Sequence, residues 1–90
     1  MKFRLTEEIW KEGSMYVAFC PELDISSCGE DVQQAKTNLL EAIHINIEET
    51  RNMGTFEQLL DECGLEPADD GDIFYVQKEL VGFTPIQVAI

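Results

Sequence analysis

Basic residues are scarce in this chain. Six Lys and Arg stand against eighteen Asp and Glu, which leaves a formal charge of −12 and a pI near 4.1. A surface so charged repels nucleic-acid phosphates, so binding DNA or RNA by phosphate neutralisation is excluded, and anionic lipid headgroups are repelled as well. Long apolar runs are also missing. The densest, Tyr16 to Cys20, is five residues, against the roughly 20 of a membrane-spanning helix. Lys2 and Arg4 are followed by Glu7 and Glu8 before any apolar stretch, so no secretory leader is expected. The cysteines are odd in number, lie far apart at Cys20, Cys28 and Cys63, and form no Cys-x-x-Cys pair. Reduced thiols in a cytoplasmic protein are the expectation. No P-loop, Gly-x-Gly-x-x-Gly or His-Glu-x-x-His is present, so no cofactor or metal is implied. Neither repeats nor low-complexity segments interrupt the chain.

What remains suits one small domain. Apolar residues are 44% of the 90, enough for a core, although a chain of this size hides only about 60–65% of its unfolded surface. The acidity has two readings: attraction to a basic partner, or plain solubility.

Phe3, Leu5, Glu7 and Ile9 alternate with Arg4, Thr6, Glu8 and Trp10, the period of a strand with one buried face. Lys11 to Ser14 contains Gly13 and predicts a hairpin turn. Met15 to Cys20 is a second strand, ended by Pro21, and Leu23 to Cys28 a short edge strand. Asp31 followed by Gln34 has the spacing of a capping box. Val32, Ala35, Leu39, Ala42, Ile43 and Ile47 then recur at helical spacing to about Arg51, with Gly54 as the stop. Thr55 with Gln58 repeats the capping pattern, and a short helix closes at Gly64. Glu66 to Asp72 reads as a loop, and Ile73 to Val76 as strand or irregular chain. Ile86, Val88 and Ile90 share one face of a last strand, expected to return beside the first by a right-handed crossover. The sum is an α+β fold: a short β-β-β-α-α-β sheet with helices on one face.

Tyr16-Val17-Ala18-Phe19-Cys20-Pro21-Glu22-Leu23-Asp24 is followed by Ser27-Cys28-Gly29-Glu30-Asp31, then by Asn38-Leu39-Leu40-Glu41-Ala42-Ile43. This succession resembles the HicB-like antitoxins: an aromatic strand, a Pro-x-Leu turn, a Gly-acid helix start and an Asn-Leu-x-Glu-Ala-Ile helix. The resemblance covers Met1 to about Arg51, and more weakly Thr55 to Leu65 and Val88 to Ile90. It implies a partial ribonuclease-H-like fold, with the last strand beside the first. It also implies a partner, the small basic HicA toxin that cleaves mRNA. Asp31 stands where the family has Thr or Ser, an equivalent N-cap. Longer members add a DNA-binding domain. Here no Lys or Arg occurs from Thr55 to Gln77, so neither a separate DNA-binding domain nor direct contact with nucleic acid is expected.

The candidate partner-binding residues are Glu8, Trp10, Tyr16, Glu22, Asp24, Glu57 and Asp61. Glu22 and Asp24 either present carboxylates to a basic partner or belong to a turn that only shapes the bend between strands. Glu57 and Asp61, at i,i+4, begin a run continued by Glu62, Glu66, Asp69, Asp70 and Asp72. Such like-charged pairs each cost a few tenths of a kcal/mol, which a basic partner would relieve; the other reading is a solvated face. Asp69, Asp70 and Asp72 do not have EF-hand spacing. Trp10 and Tyr16, with Glu8 and Arg4, are placed on an outer sheet face that another chain would cover. His44 reads as a partly buried helix residue and the cysteines as small core residues. Glu7 or Glu8, Glu41 and Glu79 are the carboxylates a two-metal nuclease would need, but the family acts by binding. The expectation is therefore an antitoxin, not an enzyme, that covers the active or RNA-binding surface of a HicA-like toxin. A homodimer or tetramer is expected, because Ile86 to Ile90 and the open sheet face both offer apolar surface. The alternative is an orphan HicB-like module, ligand-binding or structural, without a toxin.

Overall fold

The alternation from Phe3 to Trp10 does not become one strand. In the computed structural model, which describes residues 1–69 and 71–90, it splits into β1 (Lys2–Arg4) and β2 (Glu8–Glu12). Glu22 accounts for the break. Its carboxylate accepts the Thr6 backbone N–H at 2.9 Å and the Thr6 hydroxyl at 2.6 Å. A backbone donor turned toward a side chain is lost to a strand ladder. Leu5 meanwhile packs against the core, and the Lys36 ammonium reaches Glu7 at 3.5 Å, tying this link to the main helix.

Past the break, β2 pairs antiparallel with β3 (Met15–Cys20), and β3 with β4 (Ile25–Gly29). Glu12 opposes Met15, so the hairpin loop is Gly13-Ser14. Gly13 has φ +62°, and Ser14 is not in the left-handed region. That is the pattern of a type II′ turn, whose first position only glycine fills freely. One face of this sheet carries Ala18 and Cys20, both fully buried, and the half-buried Ile25.

The main helix, α1 (Val32–Met53), lies over β4 and β3 on that face. Asp31 caps it: its carboxylate accepts the Gln34 N–H at 2.7 Å. The return half of the box is displaced by one residue, since the Gln34 side-chain Oε1 accepts from the Glu30 N–H at 2.6 Å. Ala35 and Leu39 are the buried stripe. Gly29 lets the helix start lie against β4, because a Cβ there would stand 2.6 Å from the Ala35 nitrogen. Gly54, at φ +73°, ends α1, and the Thr55 N–H reaches the Thr50 carbonyl at 2.8 Å in a Schellman arrangement. Helix α2 (Phe56–Cys63) follows. Thr55 does not cap it with its side chain as the capping pattern predicts; the Thr55 hydroxyl turns back to the Thr50 carbonyl at 3.4 Å.

The last elements are β5 (Leu65–Pro67) and β6 (Ile73–Val76), paired antiparallel. Strand β5 was expected as loop. Strand β6 runs parallel to β1, with Phe3 opposite Phe74. The described residues therefore form two three-stranded sheets, β1-β6-β5 and β2-β3-β4, where a single short sheet was expected. The α+β class holds. The strand beside β1 is Ile73–Val76, not Ile86–Ile90; residues 77–90 form no strand and are exposed. A core of Ala18, Cys20, Leu23, Ala35, Leu39 and Leu65 joins the two halves. Phe3 stacks on Phe74 (5.7 Å between centroids) and meets Phe56 edge-on at 6.1 Å, which links β1, β6 and α2.

Candidate partner-binding surface

The Pro21–Asp24 turn is built from inside. Leu23 is buried in the core, and Asp24 takes φ +54°, a left-handed conformation that Asp tolerates better than most residues. Burial acts to raise the Glu22 carboxyl. The hydrogen bonds from Thr6 outweigh it, helped by the backbone N–H of Glu22 itself and by the Cys20 thiol at 3.6 Å, and hold the group below its ordinary range. The Cys20 thiol is pushed up, first by burial and then by the Glu22 charge. Glu22 thus spends both oxygens inside the chain, whereas Asp24 is exposed.

Trp10 and Tyr16 were expected on one outer face. The structure puts them on opposite faces, because a two-residue turn pairs even positions of β2 with odd positions of β3: Trp10 opposes Val17, and Tyr16 opposes Lys11. Tyr16 packs against the core, with the Lys11 ammonium 5.7 Å from its ring centre. Arg4 lies on β1, in the other sheet. The outer face therefore consists of Glu8, Trp10 and Glu12 on β2, Met15, Val17 and Phe19 on β3, and Ser26 and Cys28 on β4. Glu8 and Trp10 do come together, the indole N–H donating to the Glu8 carboxylate at 3.1 Å. The C-terminal segment supplies a neighbour that sequence reasoning missed: Phe83 meets Trp10 edge-on at 5.2 Å.

Glu57 and Asp61 are both exposed on α2, and among the described residues neither carboxylate has an ion-pair or hydrogen-bond partner. Glu62 accepts from the Gln58 amide at 2.9 Å. Asp72 is engaged, with the N-terminal amine at 3.4 Å and the Lys2 ammonium at 3.9 Å. Asp70, the middle member of the acidic loop, lies outside the described residues. Among the described residues no group of three or more His, Cys, Asp or Glu is placed to hold a metal ion. Glu7 is turned to Lys36, and Glu41 and Glu79 are exposed.

His44 is exposed rather than partly buried; it borders an apolar groove of about 440 Å³ between β1 and α1, beside Leu40 and Ile47. Cys28 is exposed, because it points away from α1, and Cys63 is half-buried, its thiol raised by burial and by Glu62. A second cleft of about 590 Å³ opens where β1 ends beside β6. It is lined by Arg4, Thr6, Glu22, Tyr75, Lys78 and Glu79 among others. Nothing in the sequence signalled it, since its walls come from three separate segments. Among the described residues no helix is long and apolar enough to cross a membrane. Comparison of the chain with protein-family models, with curated proteins and with solved structures finds no match.

Proposed function

We propose that this chain is a HicB-like antitoxin, acting by binding rather than catalysis. It neutralises a small basic, HicA-like RNA-cleaving toxin by covering the surface with which that toxin holds or cuts RNA. The observation that carries the reading is the exposed, unneutralised pair Glu57 and Asp61 on a chain of charge −12. Carboxylates one helical turn apart repel in isolation and are relieved by a cationic partner. Asp24, exposed on its turn, extends the acidic contact. The carboxylates stand where RNA phosphates would on the toxin. The parallel pairing of β6 with β1 supports the reading, since the resemblance implies a last strand beside the first.

The test is affinity capture on the full chain at low salt, with mass spectrometry of the eluate. A stoichiometric small basic protein is expected. Its dissociation constant should rise at least tenfold in Glu57→Lys/Asp61→Lys, and again as salt goes from about 0.05 to 0.5 M, where the screening length falls severalfold. An affinity indifferent to both changes refutes the electrostatic mechanism.

A second reading, an orphan module that binds a small ligand, is favoured by the 590 Å³ cleft. Of the six bases, Arg4 and Lys78 are the two that among the described residues meet neither a carboxylate nor a ring, and both line that cleft. If capture returns only the bait, titration with small carboxylates and phosphates at this cleft is the next measurement.

A further inference from the structure

Residues 80–90 are the least expected part of the molecule. Leu80 to Ile90 carries no charged residue, in a protein where more than a quarter of residues are charged. Leu80, Val81, Phe83, Ile86, Val88 and Ile90 are nevertheless all exposed, Val88 by 70% and Ile86 by 84%. The radius of gyration is 15.3 Å and the longest dimension 44 Å, against 28 and 25 Å for the others. A compact chain of this length has a radius near 12 Å. The segment is thus an arm carried outside the folded body.

The arm touches the body through Phe83, which rests on Trp10 at the outer face of the β2-β3-β4 sheet. No helix covers that face, since α1 lies on the opposite side, and Trp10 and Met15 are exposed on it. Its middle strand belongs to the second long uncharged stretch, Gly13 to Pro21. We propose that the arm is exchanged between two copies: Phe83 anchors it on its own Trp10, and Ile86, Val88 and Ile90 cover the β3 and β4 part of the outer face of a second copy.

Three features select a second copy as the occupant. The first is charge. A basic toxin would be drawn to carboxylates, yet arm and middle strand are uncharged, and two chains of −12 can approach closely only through such surfaces. The second is length. Five extended residues span about 17 Å, enough to cross three strands spaced about 4.8 Å apart. The third is pattern. Ile86, Val88 and Ile90 alternate with Gln87 and Ala89, so an extended arm turns one apolar side to a surface. In its own chain that side stays exposed at all three residues.

The contact uses neither Glu57 nor Asp61, so it stands or falls apart from the toxin reading. The experiment is sedimentation equilibrium of the full chain over a dilution series. A dimer is expected at about 50 µM, dissociating to monomer on dilution. Val88→Asp on the arm, and Ser26→Asp on the receiving face, should each weaken the dimer at least tenfold. Both positions are exposed, so the circular dichroism of each variant should match the parent. A parent that is monomeric at about 100 µM overturns the proposal, as does a Val88→Asp dimer as tight as the parent.

Discussion

Removing the Glu22 carboxylate isolates one interaction whose worth can be worked from the structure. Glu22→Ala leaves the Thr6 N–H and hydroxyl without their acceptors at 2.9 and 2.6 Å. Hydrogen bonds to a charged group contribute about 1.5–3 kcal/mol each when fully formed. Thr6 is exposed, however, so water replaces the carboxylate at both donors and less than half of that value survives. The expected loss is about 1–2 kcal/mol, or roughly 4–16 °C in Tm for a domain of this size. Glu22→Gln keeps one carbonyl acceptor and should lose about half as much. Urea unfolding measures both, and an unchanged m-value would show that the midpoint reports stability.

The pH dependence makes the prediction stricter. The folded-state carboxyl is held below its ordinary value, so its stabilisation is fully present above the unfolded pKa of about 4.3 and is lost as pH falls through the folded value. The difference in stability between the parent and Glu22→Ala should therefore be full at pH 7 and shrink steadily below about pH 4.3. A difference that stays constant into acid, or an alanine variant as stable as the parent at pH 7, refutes the argument that the ionised Glu22 carboxylate holds Thr6 in place.

Two further predictions concern packing. Gly29→Ala places a Cβ 2.6 Å from the Ala35 nitrogen and 2.9 Å from the Gln34 carbonyl carbon; these are backbone atoms, so α1 must lift, at a cost of about 2–3 kcal/mol in a thermal melt, and an unchanged Tm would disprove the close approach. With a thiol-specific chromogenic reagent near pH 8, exposed Cys28 should react first and half-buried Cys63 later, with Cys20 reacting only on unfolding; fast labelling of Cys20 in the folded protein would contradict its burial.

Local signals were legible where one residue decides the outcome. The Asp31 cap, the Gly54 and Gly64 stops and the Gly13 turn are each where spacing alone put them. What could not be read was decided by partners distant in sequence. Glu22 captures Thr6 across sixteen positions and divides the first strand. Tyr16 moves to the core side because the turn has two residues; a three-residue loop would have put it beside Trp10. At the candidate surface, the acidity of Glu57 and Asp61 was plain in the sequence. That Glu22 is committed internally was not, since a carboxylate in a turn has the same composition whether it faces a partner or its own backbone.

The misplaced final strand carries a physical lesson of its own. Ile86, Val88 and Ile90 have the alternation of a strand with one buried face, and Ile73-Phe74-Tyr75-Val76 has none. Yet the contiguous run takes the place beside β1. Strand β6 lies between β1 and β5, and all four of its residues are half-buried. A central strand needs apolar side chains on both faces, so an unbroken run suits it and alternation would waste one face. With that place filled, the alternating segment keeps its one-sided pattern but has no surface in its own chain to cover beyond Trp10. Periodicity reports that a segment has one face to bury. It does not say against which chain, and here the exposure of Ile86, Val88 and Ile90 makes that question experimental.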